Sequence, residues 1–299
     1  MMRKHQILHR LGSGGFKLAT VSGILTTRPG TIEWIDRMVP EVEIITTKSY
    51  QIRANPGYRE PILLEKEVGC FANAVGLRNP GMAAGIRELT NLRRKHGLRS
   101  LLNVSLSANC IEDFIELARC FAPVADILEL NFSCPHAASG YGSSIGSDRR
   151  VVSEYIRAIR GATTALLFPK LSPNVANIAE IAKAAVSAGA EGLSAINTVG
   201  PELFREPGSG KPILSNPNGG RGGKSGEWIK ERAILSVAEI RRTVGPHIPI
   251  IGIGGVSSAE DIRRMQRAGA NVVGLGSVFC PGSPPGPTSP LYRGVTKGL

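Results

Sequence analysis

Aromatic residues are scarce, at 5% of the 299 residues, and they do not alternate with the basic ones. A base-stacking platform for nucleic acid needs both together. Cysteine is scarce too. The five copies, Cys70, Cys110, Cys120, Cys134 and Cys280, form no Cys-x-x-Cys pair and no other metal spacing. No zinc or iron–sulfur site held by this chain alone is therefore expected, and no metal. Their odd number argues against a disulfide framework and for a reducing compartment, the cytoplasm. There are five histidines, and one of them, His136, falls among the loop residues of interest, so no Ser/His/Asp triad can be assembled. The longest apolar run, near Ala182–Ala190, is broken by Lys183, Ser187 and Gly189. A membrane helix needs about 20 apolar residues, so none is expected. Basic Met1–Gln6 leads into no apolar stretch, so no secretory leader is expected.

Positive charge is plentiful, with a net +12. The pairs Arg149-Arg150, Arg241-Arg242 and Arg263-Arg264 are scattered through helical patterns. They read as solvated helix faces rather than a nucleic-acid footprint.

Short apolar runs recur at Leu18–Val21, Ile44–Thr47, Leu101–Ser105, Ile127–Asn131, Leu166–Lys170, Gly192–Asn197, Ile248–Gly252 and Val272–Leu275. Each reads as a strand buried on both faces, as in a parallel sheet. Helical patterns separate them: Thr31–Met38, Met82–Lys95 behind an Asn79-Pro80 start, Glu112–Phe121, Val151–Gly161, Asn177–Ala188, Trp228–Thr243 and Ala259–Ala268 behind a Ser257-Ser258 cap. Gly189 and Gly269 stand just after helices, as C-terminal stops. Eight strands in strict alternation with about seven helices predict one (β/α)8 barrel over residues 1–299, with an open doubly wound sheet as the alternative. The Pro/Gly-rich stretch Cys280–Pro290 marks residues 280–299 as an irregular tail.

Three connections are long: Ser49–Gly81, Phe132–Arg150 and Thr198–Glu227. Each follows a strand, which in a barrel puts it on the C-terminal face where active sites are built. Polar residues stand on the same rim: Lys48, Asn103, Asn131, Lys170 and Asn197-Thr198. Buried lysine and asparagine are costly unless paired, so several on one rim predict a polar pocket. Gly252–Gly255 and Gly274–Ser277 follow the last two strands, where backbone N–H groups commonly hold a phosphate. Gly219–Gly226 reads as a flexible run, and its Gly222-Gly223-Lys224-Ser225 lacks the spacing of a phosphate-binding P-loop. Cys134, in Asn131-Phe132-Ser133-Cys134-Pro135-His136, starts a glycine-rich loop and is a candidate proton-transfer group. The other four cysteines read as small apolar fillers.

Six motifs in order carry a resemblance. They are Asn73-Ala74-Val75-Gly76-Leu77-Arg78-Asn79-Pro80-Gly81, Glu129–Pro135, Lys170-Leu171-Ser172-Pro173-Asn174-Val175, Ile196-Asn197-Thr198, Gly222–Gly226 and Ile250–Val256. Over about Val21–Phe279 the chain resembles the dihydroorotate dehydrogenase family, FMN barrels of pyrimidine biosynthesis, and its class 1 branch in particular. The resemblance implies that Cys134 is the general base taking the proton from C5 of dihydroorotate as hydride leaves C6 for FMN. It implies that Lys170 steadies the reduced flavin and that Lys48 touches flavin and substrate. Asn73, Asn131, Asn197 and Thr198 would bond the pyrimidine edge, and the Val75, Gly76 and Leu77 backbone would hold its carboxylate. Ser22, Ser49, Asn103, Asn131, Ile196 and Gly226 would contact FMN, with Gly254, Gly255, Gly276 and Ser277 around its phosphate.

One position departs from the family pattern: His136 stands where an asparagine is usual. Histidine there resembles the dihydropyrimidine dehydrogenases, which act on uracil and thymine and are the first alternative. A dihydrouridine synthase acting on tRNA is the second, and a non-catalytic binding barrel the last. The resemblance also implies a homodimer. The electron acceptor stays open between fumarate and NAD reached through a separate iron–sulfur flavoprotein subunit.

Overall fold

The structure is a computed structural model that describes residues 4–132 and 145–279. Cys134, His136, Cys280 and the expected tail lie outside the described residues. In chain order the elements are α1 (Lys4–Gly12), β1 (Leu18–Thr20), α2 (Pro29–Met38), β2 (Val42–Thr46), β3 (Leu63–Glu67), β4 (Cys70–Asn73), α3 (Met82–His96), β5 (Leu101–Leu106), α4 (Ile111–Phe121) and β6 (Ile127–Asn131). There follow α5 (Arg149–Ala162), β7 (Leu166–Leu171), α6 (Ile178–Ser187), β8 (Leu193–Ala195), β9 (Val199–Leu203), β10 (Arg221–Gly226), α7 (Lys230–Val244), β11 (Ile250–Ile253), α8 (Ala259–Arg267) and β12 (Val272–Leu275).

Eight strands close into a parallel barrel in the order β1-β12-β11-β8-β7-β6-β5-β2. The expected alternation is thus the observed one, and the open-sheet alternative falls. Side chains on a strand alternate between lumen and helix layer. On β5, Leu102, Val104 and Leu106 pack outward with Phe114 and Leu117 of α4. Leu101 points into the lumen, where it joins Ile44, Ile127, Leu166, Phe168, Ile251 and Val272. Higher in the lumen β2, β5, β6 and β8 carry Thr46, Asn103, Ser105, Glu129 and Ser194, all buried. The barrel is therefore apolar at its base and polar towards its C-terminal mouth. That gradient supplies the floor of a polar site.

Helix α1, which was not expected from the sequence, plugs the base with buried Ile7 and Leu11. Its apolar face is only a few residues wide, too narrow to stand out as a periodic pattern. Phe168 fills the lumen where Gly192 makes room: a Cβ at Gly192 would lie 2.2 Å from its ring. Gly192→Ala is expected to cost about 1–3 kcal/mol through overpacking. Urea unfolding should show a lower midpoint at unchanged slope, and an unaltered midpoint would mean that the ring yields freely.

Helix ends follow local chemistry. Ser258 caps α8 in a capping box with Asp261, and Asn177 caps α6. Gly189 and Gly269 both take φ of +111°, as helix stops should. The expected Asn79 cap of α3 is corrected. The cap residue is Gly81, and the Asn79 side chain instead accepts from the N–H groups of Gln51 and Gly81.

The long first and third connections are not bare loops. They supply a four-stranded antiparallel sheet, β3-β4-β10-β9, over the mouth of the barrel. The glycine run expected to be flexible forms its strand β10. A Cβ at Gly226 would sit 1.8 Å from the Gly69 carbonyl oxygen, and one at Gly222 would sit 2.7 Å from that of Asn73. Close backbone approach, not freedom, explains these glycines.

Candidate active site

A cavity of about 360 Å³ lies between the barrel mouth and the four-stranded sheet. That is within the roughly 300–1,000 Å³ of small-molecule sites. Strand ends bring polar groups to its floor. Lys48 follows β2, and Lys170 sits near the end of β7, registered between Asn131 of β6 and Ser194 of β8. Both lysines line the cavity and are buried, at 8% and 7% exposure. Two ammonium groups kept this far from water make the site one for anionic or electron-rich ligands.

One wall is the turn after β4. Gly76 and Leu77 take φ of +72° and +57°, and a leucine in that region is unusual. Asn55 Nδ2 donates to the Gly76 carbonyl at 3.1 Å and helps hold the turn. Successive peptides in such conformations form a concave row of N–H donors suited to a carboxylate. No backbone carbonyl among the described residues accepts from the N–H groups of Val75, Gly76 or Leu77. Asn73, at the end of β4, also lines the cavity, with its amide donating to the Gly223 carbonyl at 3.2 Å and to Ser225 Oγ at 3.3 Å.

The opposite wall is a chain of amides and hydroxyls. Thr198 N–H donates to Asn197 Oδ1 at 2.8 Å, and Asn197 Nδ2 to Asn131 Oδ1 at 3.5 Å. Asn131 Nδ2 donates to Ser49 Oγ at 3.1 Å, and Ser22 Oγ lies 3.1 Å from Ser49 Oγ. The hydroxyl of Thr198 is buried with no partner among the described residues. It lines the cavity, so a ligand atom there would complete it.

The far end is built from Ile196, Gly226, Gly254, Gly255, Gly276 and Ser277. Gly254 and Gly255 take φ of +136° and +69°. A Cβ on Gly255 would lie 2.7 Å from the Gly226 carbonyl oxygen and from Lys230 Cβ. Behind them Asp261 accepts from the N–H groups of Ser257 and Ser258 and pairs with Lys230 Nζ at 2.9 Å. Burial alone would raise the Asp261 carboxyl, but Lys230 and the two serines outweigh it and hold it below its ordinary value. The turn is thus tied down from beneath, leaving its peptide backbone at the cavity.

The expected site residues therefore converge, with two exceptions. Asn103 is fully buried and does not line the cavity; its amide donates to Thr46 Oγ1 at 3.1 Å. Asn103 Oδ1 is buried with no hydrogen-bond partner among the described residues. Cys134 lies outside the described residues. Of the remaining thiols, Cys70 and Cys110 are pushed up, by burial first and nearby carboxylates after it, against a lowering backbone hydrogen bond. They stay protonated at neutral pH, as fillers would.

The cavity also holds residues not singled out from the sequence, among them Gly23, Arg78, Ser225 and Ile253. Arg78, Ser225 and Ile253 stand inside quoted motifs and were legible by position. Gly23 was not: its signal is steric, since a Cβ there would lie 3.0 Å from Lys48 Nζ. Among the described residues no group of His, Cys, Asp and Glu is arranged to hold a metal, and no helix is long and apolar enough to cross a membrane. The donors suit a flavin nucleotide: buried cations, an unpaired hydroxyl, asparagine amides and a glycine turn for a phosphate.

Residues 19–285 match the family model described as dihydroorotate dehydrogenase. The chain is 38% identical over 255 residues to the "Dihydroorotate dehydrogenase B (NAD(+)), catalytic subunit" of Methanothermobacter thermautotrophicus, spanning 85% of this chain and 79% of that one. It is 39% identical over 234 residues to the protein of the same description from Methanocaldococcus jannaschii, spanning 78% and 74%. Among solved structures, the crystal structure of DHODH in complex with ferulenol from Eimeria tenella superposes with a TM-score of 0.71 at 19% identity, spanning 87% of this chain and 75% of that one. That likeness bears on the fold.

Proposed function

The chain belongs to the dihydroorotate dehydrogenase family, and from that premise we propose that its cavity binds FMN and dihydroorotate side by side and yields orotate. The observation that carries the reading is the meeting, in one cavity, of buried Lys48 and Lys170 with the donor row at Val75–Leu77 and the Asn131–Asn197 amides. The dihydropyrimidine and dihydrouridine alternatives lose ground because both archaeal relatives carry the dihydroorotate description.

When bound, FMN supplies the acceptor for the hydride that leaves C6 of the substrate. Cys134, as thiolate, takes the proton from C5, so the ring loses two electrons and two hydrogens and gains the C5=C6 double bond. Lys48 and the Val75–Leu77 peptides grip the carboxylate. Asn73, Asn131, Asn197 and Thr198 hold the polar ring edge. Lys170 would stabilise the negative charge that the cofactor gains on reduction. Gly254, Gly255, Gly276 and Ser277 would hold the cofactor phosphate, and Ile196 and Gly226 would contact the rest of it. The protein acts as the catalytic subunit of a larger enzyme. Electrons leave for NAD through a separate iron–sulfur flavoprotein subunit, and the barrel itself forms a homodimer in the cytoplasm.

Carboxylate recognition is testable directly. A charge-assisted contact outweighs a neutral one, so orotate should bind the FMN-loaded protein at least about tenfold more tightly than uracil, read by the shift of the visible flavin band. Anaerobic dihydroorotate should bleach that band, whereas dihydrouracil should not. Equal affinities, or bleaching by dihydrouracil alone, would move the protein to the uracil-reducing alternative. His136→Asn should change orotate affinity only modestly.

A further inference from the structure

Glu129 is an acid in the barrel lumen that the proposed chemistry does not use. It is 1% exposed, on β6 two residues before Asn131. Its Oε1 accepts from Ser105 Oγ at 3.0 Å. Ser105 Oγ lies 2.9 Å from Ser49 Oγ, and Ser49 Oγ meets Ser22 Oγ and Asn131 Nδ2, each at 3.1 Å.

A hydroxyl has one proton and two lone pairs, and a carboxylate only accepts. Ser105 gives its proton to Glu129, so towards Ser49 it can only accept. Ser49 therefore spends its proton on Ser105 and must accept from both Asn131 and Ser22. That exhausts Ser49, which lines the cavity yet has no proton left for a ligand. Ser22 spends its own proton on Ser49 and meets the cavity as an acceptor. The other end of the chain agrees. Thr198 N–H can only donate, which sets Asn197 Oδ1 towards it and Asn197 Nδ2 towards Asn131 Oδ1. One direction of donation thus runs from the Thr198 peptide through both asparagines and two serines to Glu129.

The geometry points to Glu129 as a positioning residue that, as the terminal acceptor of this chain, fixes which faces Asn131, Asn197 and Ser22 turn to the cofactor and the pyrimidine. It acts through Ser105 and touches neither ligand. The inference rests on the flavin reading of the cavity. It also sets the ligand side: a group against Ser22 must bring a donor, such as a ring N–H. An amide at position 129 offers Ser105 a donor as well as an acceptor, so the chain loses its single direction.

The test is a double-mutant cycle on Glu129→Gln and Ser105→Ala, which removes the link with little change in volume. FMN affinity is measured on the apoprotein by fluorescence quenching, and orotate affinity on the FMN-loaded protein by the visible-band shift. Each single variant should weaken orotate binding about tenfold and alter the shape of the orotate-induced band shift in the same way. The double variant should be no worse than either single one, because residues acting through one chain are not additive. Multiplying effects, or wild-type band shifts and affinity in either variant, would overturn the role of Glu129. Ser105→Ala serves alone if Glu129→Gln does not fold. Wild-type protein that takes up no FMN would overturn the flavin reading and this inference together, whereas wild-type uptake with unaffected variants overturns the inference only.

Discussion

Cys134→Ala is expected to slow reduction of the bound flavin by dihydroorotate by about 10²–10⁴-fold while leaving FMN in place. The proton at C5 is a carbon acid that water removes poorly, and no other thiol shares the Asn131–His136 segment. The two mid-chain cysteines whose thiols are pushed up, Cys70 and Cys110, lie on other elements, β4 and the start of α4, and neither lines the cavity. A serine at position 134 should keep a fraction of the rate and need higher pH, because a hydroxyl gives up its proton less readily than a thiol. Anaerobic stopped-flow mixing across a pH series separates these outcomes. An alanine variant within a few-fold of the wild-type rate would remove Cys134 from the chemistry.

Lys170→Met is expected to slow the same step by about 10²–10³-fold, the range found on removing one preorganised donor from developing charge. The side chain is almost without water, at 7% exposure, so its charge acts through a low dielectric. With a flavin bound, its charge would meet a ring system that gains negative charge on reduction. Its contribution is therefore larger in the transition state than in the ground state. The FMN dissociation constant should rise much less than the rate falls. A variant that loses FMN, but whose bound fraction reacts at the normal rate, would make Lys170 a structural residue.

Much of this was legible in the chain. Leu101-Leu102-Asn103-Val104-Ser105-Leu106 reads as a buried strand because both of its faces are covered. The lysines and asparagines at the ends of such runs announced a polar rim because those residues are costly to bury without a purpose. Gly254 and Gly255 marked a candidate phosphate loop after the seventh strand; both take positive φ and line the cavity. These are local properties. Apolar run length, spacing and cap chemistry act over a few residues and need no knowledge of the rest of the chain.

Long-range pairing was not legible. Arg221–Gly226 looks like flexible coil by composition, and it becomes strand β10 because β4 and β9 pair with it on either side. Helix α1 earns its place only against the base of a closed barrel, whose lumen residues lie far along the chain. Asn103 carried the expected residue type on the expected strand, and strand register set its amide against Thr46 Oγ1. Glu129 stood in plain view inside a quoted motif, yet its reach to Asn131 and Ser22 runs through serines 24 and 80 residues earlier in the chain. By itself the sequence determined the eight barrel strands, the helices between them and which residue types meet at the rim. Closure of the barrel decided which of them touch, because hydrogen-bond direction depends on distances between strands that no local pattern encodes.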